Sequence, residues 1–348
     1  MPLWSLWKPK PPRTADAAVG YWAKPDAPSA GRRSRARAAA CVAAASLTLL
    51  VSAPAIGDAW RDRAVDGRLS VFFLDSGMGD AAVVRSPGGG WGIVDAGPAH
   101  PFLGSRGPLP EFLRSWGADS IDVAVISHAH SDHWGGLLDL EAASIRVGEV
   151  VTASGSDDPD ADAGWPDLLA ALASGGTRIT HGPPCGPIRG FPVEAAILHP
   201  CDGDLEGHPA GENDRSIAMA VGARGACVLF TGDIGTPVEE TVAARAAPLR
   251  CPVLKVPHHG SAGSSGEAIL ATSGLELAVL SARSGNSFGL PHASALSRIL
   301  SSGLRLHRID LDGGLLVSFL HGDLEVMDAQ MEAMEARAKG GQGQHESN

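Results

Sequence analysis

Four side chains that commonly bind metal ions lie within six positions of one another. His128, His130, Asp132 and His133 directly follow residues 121–126, an apolar run that is typical of a buried strand. On an extended segment His128 and His130 point the same way and can hold one ion. Asp132 and His133, at the turn into a helix, can reach a second ion about 3.5–4 Å from the first. The spacing therefore predicts a dinuclear metal site.

Further candidate ligands stand at the ends of other apolar runs. Asp233 ends one run and suits a position between two cations, and His258 and His259 end another. Asp95 ends a third run, where a carboxylate can orient a metal-bound histidine. We predict that Asp95 or Asp132 also orients the attacking water. Because the donors are nitrogen and oxygen without cysteine, two divalent ions of either zinc or manganese are expected.

These motifs resemble the metallo-β-lactamase fold, whose ligands lie on loops at one edge of two packed sheets. Within that fold, the chain is similar to the C-terminal hydrolase domain of ComEC-type competence proteins, which serves DNA uptake and to which degradation of incoming DNA is attributed. The segments that carry this likeness are residues 71–81, 213–216, 231–233, 255–261 and 286–291. The resemblance covers residues 68–325 and implies an α/β fold, a four-layer αββα sandwich.

The resemblance also implies where a substrate binds. We predict substrate contacts from Asn213, Ser216, Lys255, Ser261 and Asn286, with Lys255 or the donors of Asn213 and Ser216 on a phosphate. A surface position for Lys255, with its stem along the strand, is the alternative.

Some positions depart from the family pattern. Leu290 stands where a histidine is usual, and the third metal-binding histidine of the wider family has no clear equivalent. His199, His208 or no residue remain open for that position. It also remains open which of His258 and His259 is the ligand.

The N-terminal region differs from the rest of the chain. Residues 1–37 form a basic lead, and residues 38–57 carry no charge and suffice for one crossing of a hydrocarbon core about 30 Å thick. Arginines before this stretch predict a cytoplasmic lead, and therefore a single-pass inner-membrane protein whose hydrolase domain, residues 66–327, lies outside the cytoplasm. A cleaved signal peptide and an alanine-rich soluble helix are the alternatives. Residues 328–348 are expected to form a flexible tail.

Alternating apolar patterns fill the domain with strands, which are expected at 69–75, 81–85, 91–95, 121–126, 148–152, 193–198, 215–222, 225–230, 252–256, 276–281, 304–309, 314–320 and 322–327. Helices are expected between them at 110–116, 134–140, 166–173, 236–246, 266–272 and 292–301. Cys185 and Cys201 flank a hairpin and can pair if the domain is exported. Cys227 and Cys251 fall in buried strands and are interpreted as small core residues.

Charge and composition bear on the substrate. The net charge is −11, the acidic excess lies after residue 58, and aromatic residues make up only 5%. Capture of DNA from solution needs basic residues or stacking surfaces that this composition lacks. We therefore predict a phosphodiesterase or nuclease to which incoming DNA, preferably single-stranded, is delivered by components of an uptake channel. Alternatives are a metal-dependent esterase or phosphodiesterase for a small or envelope substrate, and a catalytically degenerate interaction module.

Overall fold

Short apolar strands form two β-sheets that pack face to face. The computed structural model describes residues 67–153, 161–182, 184–205 and 211–328. The first sheet contains β1 (Leu69–Phe73), β2 (Ala81–Arg85), β3 (Trp91–Ala96), β4 (Ser120–Ile126), β5 (Arg146–Thr152), β6 (Arg178–His181), β14 (Leu315–Leu320) and β15 (Asp323–Asp328). The second contains β7 (Gly186–Pro187), β8 (Ala195–His199), β9 (Ala218–Ala223), β10 (Ala226–Phe230), β11 (Val253–Lys255), β12 (Leu277–Leu280) and β13 (Arg305–Arg308).

Each sheet is antiparallel on one side and parallel on the other. The strand order of the first is β15-β14-β1-β2-β3-β4-β5-β6, with parallel pairing from β3 to β6. The order of the second is β13-β12-β11-β10-β9-β8-β7, with parallel pairing from β10 to β13. Because loops after parallel strands leave from the same edge, the segments after β3, β4, β10 and β11 can meet there.

Helices cover the outer faces of both sheets. They are α1 (Pro108–Ser115), α2 (Ser131–Trp134), α3 (Gly136–Ala142), α4 (Trp165–Ser174), α5 (Thr236–Ala246), α6 (Glu267–Leu270), α7 (Ala293–Ser301) and α8 (Ile309–Asp312).

The alternation of side chains along β4 separates the layers. Val123 and Val125 enter the core between the sheets, whereas Ala124 and Ile126 pack with the residues of α1, α3 and α4. A third apolar cluster joins the outer face of the second sheet to α5 and its neighbours. The α/β two-sheet architecture, with the layers αββα, is therefore confirmed.

Two disulfides cross-link the second sheet. Cys185 is bonded to Cys201, in agreement with the predicted pairing. Cys227 is bonded to Cys251, so their interpretation as unpaired core residues was wrong. The physical reason is that β10 and β11 are neighbouring parallel strands, which brings the two Cα atoms to 4.7 Å.

The predicted membrane span falls outside this region. Within the described ranges, none of the helices combines the length and apolar character needed to cross a bilayer. The basic lead, the candidate span at residues 38–57 and the tail after Asp328 lie outside the described residues.

Candidate metal centre

Histidines and carboxylates from both sheets converge at the edge where the parallel strands end. The segment after β4 contributes His128, His130 and, through α2, Asp132 and His133. His128 and His133 are fully buried, whereas His130 and Asp132 are partly exposed. Nε2 of His128 lies 2.9 Å from Nδ1 of His130, so the two imidazoles are in direct contact, and their binding of one ion stays a prediction.

Asp95, at the end of β3, holds the segment after β4 in place through contacts with Ser127 and His133. Its Oδ1 accepts a hydrogen bond from the Ser127 backbone amide at 2.7 Å, and its Oδ2 accepts one from the Ser127 hydroxyl at 2.9 Å. The same Oδ2 lies 2.9 Å from Nδ1 of His133. Since Nδ1 is engaged by a carboxylate, Nε2 of His133 is left to face the centre.

Asp233, in the turn after β10, lies between the two groups of histidines. One oxygen is 3.4 Å from Nε2 of His133, and the other is 3.9 Å from Nε2 of His128 and 3.5 Å from Nε2 of His259. The turn is tight because the preceding Gly232 has φ +51° and a Cβ there would lie 2.7 Å from the Ser216 side chain. The sequence therefore places a carboxylate where it can serve two cations.

The segment after β11 adds two histidines in a strained conformation. His258 and His259 both have positive φ, 49° and 50°, which costs non-glycine residues about 1–2 kcal/mol each. His259 is buried, with Nδ1 3.1 Å from the Ser281 carbonyl oxygen and Nε2 3.5 Å from Oδ2 of Asp132. His258 is about one-third exposed, and its Nε2 is 3.8 Å from Asp233. The geometry therefore favours His259 as the more enclosed donor.

Asp80 belongs to the cluster, although the sequence reasoning did not single it out. One donor atom from each of Asp80, His133, Asp233 and His259 lies within 4.8 Å of the others. The signal was the glycine before it: Gly79 has φ +132°, and a Cβ there would lie 2.1 Å from the Asp132 carbonyl oxygen. Glycine thus lets the segment before β2 pass directly against the turn that carries Asp132.

The cluster fits a bound cation. Nε2 of His133, Nε2 of His259 and Oδ1 of Asp233 are buried without a hydrogen-bond partner in the described structure. Such atoms are costly to bury unless another partner satisfies them. Nitrogen and oxygen atoms aimed at one point are suitable ligands for a divalent ion.

The charges of the metal-free cluster agree with this interpretation. Burial alone would lower the pKa of His259, but the carboxylates of Asp233 and Asp80 raise it to about 10. Burial would raise the pKa of Asp233, but the nearby His259 and His133 hold it well below its ordinary value. Protonated histidines therefore neutralise the carboxylates in the absence of metal, and a cation can replace those protons.

Of the residues predicted to contact substrate, Asn213 lies beside the metal-facing side chains. Its Nδ2 is 3.4 Å from Nε2 of His258. Ser261 is partly buried directly after the turn that contains His258 and His259, and its hydroxyl oxygen lies 3.4 Å from the Gly263 amide nitrogen. Both remain predicted substrate contacts.

The other three residues predicted to contact substrate have polar partners within the protein. Ser216 is buried, and its hydroxyl accepts a hydrogen bond from the Asp233 amide at 3.0 Å, so it shapes the turn. Lys255 is also buried and faces Asp80 at 2.5 Å, so the alternative of a surface position was wrong, and its contact with a phosphate stays a prediction. The Asn286 side chain forms hydrogen bonds with the backbone of its own loop. Its Nδ2 donates to the carbonyls of Arg283 and Leu290, and its Oδ1 accepts from the amides of Phe288 and Leu290.

The Asn286 loop emerges beside the site. Nδ1 of His259 contacts the Ser281 carbonyl at one end of the loop, and the His292 amide donates to the Gly260 carbonyl at the other. Phe288 at the tip is 72% exposed. An anchored loop thus presents an aromatic ring to solvent.

His199 does not reach the cluster. It is buried, with Nδ1 3.0 Å from Asp204 and Nε2 2.8 Å from the Asp214 carbonyl oxygen. Arg245 binds both oxygens of Asp204, and these hydrogen bonds lower the pKa of that carboxyl well below its usual range. His199 therefore supports the turn that carries Asn213 and is neither a ligand nor a surface residue. The other candidate, His208, lies outside the described residues.

Comparison with known proteins agrees with this arrangement. Residues 74–284 match the family model of the metallo-beta-lactamase superfamily. The chain belongs to this superfamily. This fold typically binds divalent metals, and a buried cluster of histidine and aspartate side chains that could hold one is present in the chain.

Two curated relatives are competence proteins. The chain is 27% identical over 257 residues to ComE operon protein 3 of Bacillus subtilis (strain 168), covering 70% of this chain and 32% of the relative. It is 29% identical over 260 residues to competence protein ComA of Neisseria gonorrhoeae, covering 74% of this chain and 33% of the relative. The chain thus spans about a third of the length of these relatives, and the predicted likeness to competence proteins is confirmed.

Among solved structures, the chain is similar in fold to Tm1679, a metal-dependent hydrolase of the β-lactamase superfamily. The identity is 19% and the TM-score 0.45, and the match covers 71% of this chain and 98% of that protein.

Proposed function

We propose that this metallo-β-lactamase-fold protein is a phosphodiesterase that degrades DNA during uptake, with single strands preferred. The observation that carries the proposal is the buried cluster of His133, Asp233 and His259, whose inward atoms have no hydrogen-bond partner in the described structure. The similarity to two competence proteins supports DNA as the substrate.

In this proposal the cluster holds two divalent ions, either zinc or manganese. The proposed donors are His128 and His130 on one side, Asp132, His133 and His259 on the other, and Asp233 between them. Bound divalent ions neutralise charge on a phosphate and make a nearby water more acidic.

The residues around the ions have distinct proposed roles. The Asp132 side chain is one-third exposed and therefore can orient an incoming water and accept its proton. Asp95 keeps Nε2 of His133 directed at the centre through its hydrogen bond to Nδ1. Asn213 has amide hydrogens that can donate to a phosphate oxygen.

The ligand set favours a phosphodiester over a β-lactam. Asn213 occupies the turn next to His258, and His199 is held away from the centre by Asp204. Among the described residues, that turn therefore adds no further histidine to His128 and His130, and the carboxylates of Asp132 and Asp233 complete the proposed set. Mixed ligation by imidazole and carboxylate suits divalent ions that also bind phosphate oxygens.

Charge and disulfides support a tethered location. The net charge of −11, with the acidic excess after residue 58, does not favour capture of a polyanion from solution, so we propose that a DNA-uptake channel delivers the strand. Two disulfides favour an oxidising compartment, in keeping with a single-pass protein anchored in the inner membrane by residues 38–57, with its hydrolase domain outside the cytoplasm.

A substrate panel tests the reaction. The full chain is incubated with labelled single- and double-stranded DNA, bis-p-nitrophenyl phosphate and nitrocefin, with zinc or manganese added, and metal content is measured in parallel. We expect about two ions per chain and cleavage of phosphodiesters that depends on Asp132 and is suppressed by salt. Replacing both His128 and His130 with alanine should remove one ion and abolish cleavage. Turnover of nitrocefin without phosphodiester cleavage would overturn the proposal.

Reporter fusions test the location. One reporter active only in the cytoplasm and one active only outside are fused after residue 66. We expect activity of the outside reporter alone, because arginines precede the candidate span. Activity of the cytoplasmic reporter at this junction would exclude the membrane arrangement.

A second candidate is a phosphodiesterase or esterase that acts on a small or envelope substrate. The acidic net charge favours it, since a small substrate does not need several phosphate contacts. Cleavage of bis-p-nitrophenyl phosphate with no cleavage of either form of DNA would support this candidate. A catalytically degenerate module is disfavoured by the complete set of inward-facing donors.

A further inference from the structure

A buried ion pair lies directly behind the metal-facing histidine of the second sheet. Nζ of Lys255 is 2.5 Å from Oδ2 of Asp80, and both side chains are at least 90% buried. The ammonium group also donates to the Val256 carbonyl at 2.8 Å. The other oxygen of Asp80 lies 3.4 Å from Nδ1 of His259. The pair therefore connects a fixed positive charge to the back of a candidate ligand.

We propose that Asp80 and Lys255 are positioning residues: Asp80 orients His259 from behind, and Lys255 keeps Asp80 from turning to the metal. This inference rests on the proposed metal-dependent function and names two residues that support its ligand set. Lys255 has no direct contact with substrate in this proposal.

The direction of the His259 ring supports this role. Its Nδ1 faces two acceptors, the Ser281 carbonyl at 3.1 Å and the Asp80 carboxylate. Both favour a proton on Nδ1. When a cation is bound, the lone pair of Nε2 is then left to face that cation, on the side where Asp132 and Asp233 lie 3.5 Å away.

The first sheet contains the same arrangement. Nδ1 of His133 lies 2.9 Å from Asp95, and Nε2 of His133 faces Asp233. Thus the candidate ligands His133 and His259, one from each sheet, are each backed by a buried carboxylate. Carboxylates that hold metal-bound histidines raise the basicity of the imidazole and fix its tautomer.

Asp80 differs from Asp95 because it lies close enough to the centre to become a ligand itself. A donor atom of Asp80 is within 4.8 Å of donor atoms of His133, Asp233 and His259. An ammonium at 2.5 Å engages one of its oxygens and opposes rotation of the carboxylate toward a cation. Lys255 therefore determines which of two roles Asp80 takes.

The sequence shows that this lysine is exceptional in the chain. Lys255 is the only lysine between Lys24 and Lys339, although arginine is frequent in that region. An ammonium is a compact point charge, whereas a guanidinium is a wide planar fork. The enclosed space between Asp80 and the Val256 carbonyl favours the compact cation.

Two variants of the full chain test the proposal. Lys255→Met releases Asp80, and the double variant Asp80→Asn/Lys255→Met removes both charges together, which limits the destabilisation caused by an unpaired buried charge. The matched control is Arg68→Met/Glu325→Gln, which removes a partly buried ion pair between the start of β1 and β15, away from the loops that carry the cluster. The readouts are zinc affinity by chelator competition and the visible absorption spectrum of the Co²⁺-substituted protein, neither of which uses a substrate.

We expect the double variant to bind zinc about 10- to 100-fold more weakly, because the support of His259 is lost. In Lys255→Met, we expect the Co²⁺ absorption to weaken and shift as Asp80 joins the coordination. The control should match the wild type in both readouts. Wild-type affinity in the double variant, or a wild-type Co²⁺ spectrum in Lys255→Met, would overturn the proposal.

A third measurement needs no substitution. In the wild-type protein, ¹⁵N NMR should show the proton of the metal-bound His259 on Nδ1, and a proton on Nε2 would contradict the arrangement. Because these readouts do not require turnover, they separate a failure of this inference from a failure of the proposed phosphodiesterase activity. Zinc binding that follows the pattern above, in a protein inactive on every phosphodiester, would leave the positioning role intact.

Discussion

Replacement of Asp95 by asparagine isolates the contribution of one carboxylate to the metal centre. Asp95 accepts hydrogen bonds from the Ser127 amide and hydroxyl, and its Oδ2 contacts Nδ1 of His133. Asparagine has one acceptor oxygen, so one of these donors must face an amide NH₂ group instead. Asparagine is preferable to alanine because Asp95 has φ +56°, a conformation that asparagine tolerates well.

The expected effect of Asp95→Asn on metal affinity and on stability follows from the loss of a carboxylate partner for His133 or Ser127. Loss of a carboxylate behind a metal-bound histidine typically weakens metal affinity about 10- to 100-fold. This corresponds to about 1.4–2.7 kcal/mol of binding free energy. An unsatisfied buried donor also lowers the free energy of unfolding of the metal-free protein by about 1–3 kcal/mol.

The assay is zinc affinity by competition with a chromogenic chelator, together with urea unfolding in the presence of excess chelator. The matched control is Asp162→Asn, since Asp162 accepts hydrogen bonds from the Ser131 amide and hydroxyl beside the same motif. We expect the control to retain wild-type affinity. Equal zinc affinity in Asp95→Asn and the wild type would refute the orienting role of Asp95.

Three further outcomes are expected. Replacing Cys227 and Cys251 together with alanine should lower the free energy of unfolding by about 3 kcal/mol, because the bond closes a 24-residue separation; an unchanged urea midpoint would contradict this. Asp204 has a lowered pKa in the folded protein, so its ionised form stabilises the fold fully above pH about 4, and this contribution is lost as the pH falls toward the folded pKa. The free energy of unfolding in urea should therefore change less between pH 7 and pH 3 in Asp204→Asn than in the wild type, and an equal change would contradict this. Phe288→Ala should slow cleavage of single-stranded DNA but not of bis-p-nitrophenyl phosphate, because an exposed ring at the loop tip can stack on a base. The control Phe102→Ala removes another exposed ring and should slow neither reaction.

The polar side chains at the ends of buried strands, which are the candidate ligands, were accessible to sequence reasoning. An apolar run followed by His128, His130 or Asp233 indicates both the strand and the edge from which its polar residues emerge. Local irregularity was not accessible in the same way. The helix expected at 134–140 is two helices, α2 and α3, that meet at Gly135, where a Cβ would lie 2.3 Å from the Ala99 amide nitrogen.

Strands without an apolar run were missed for a related reason. β6 and β7 have few buried side chains, so their sequences lack the pattern that marks a core strand. Contacts between residues on neighbouring strands were also not predictable from the sequence. The contact of Asp80 with Lys255 and the bond between Cys227 and Cys251 depend on which strands are neighbours in space, and spacing along the chain does not specify this.

The distribution of the candidate ligands over both sheets has a consequence for folding. Asp80 and His133 belong to the first sheet, Asp233 and His259 to the second, and most of the domain lies between the first and last of them in the chain. These donors meet only when the two sheets have docked, so assembly of the centre is a late event with high contact order. A cation that binds only the docked state stabilises the whole domain by mass action. Hydrogen exchange in both sheets should therefore accelerate together when a chelator is added.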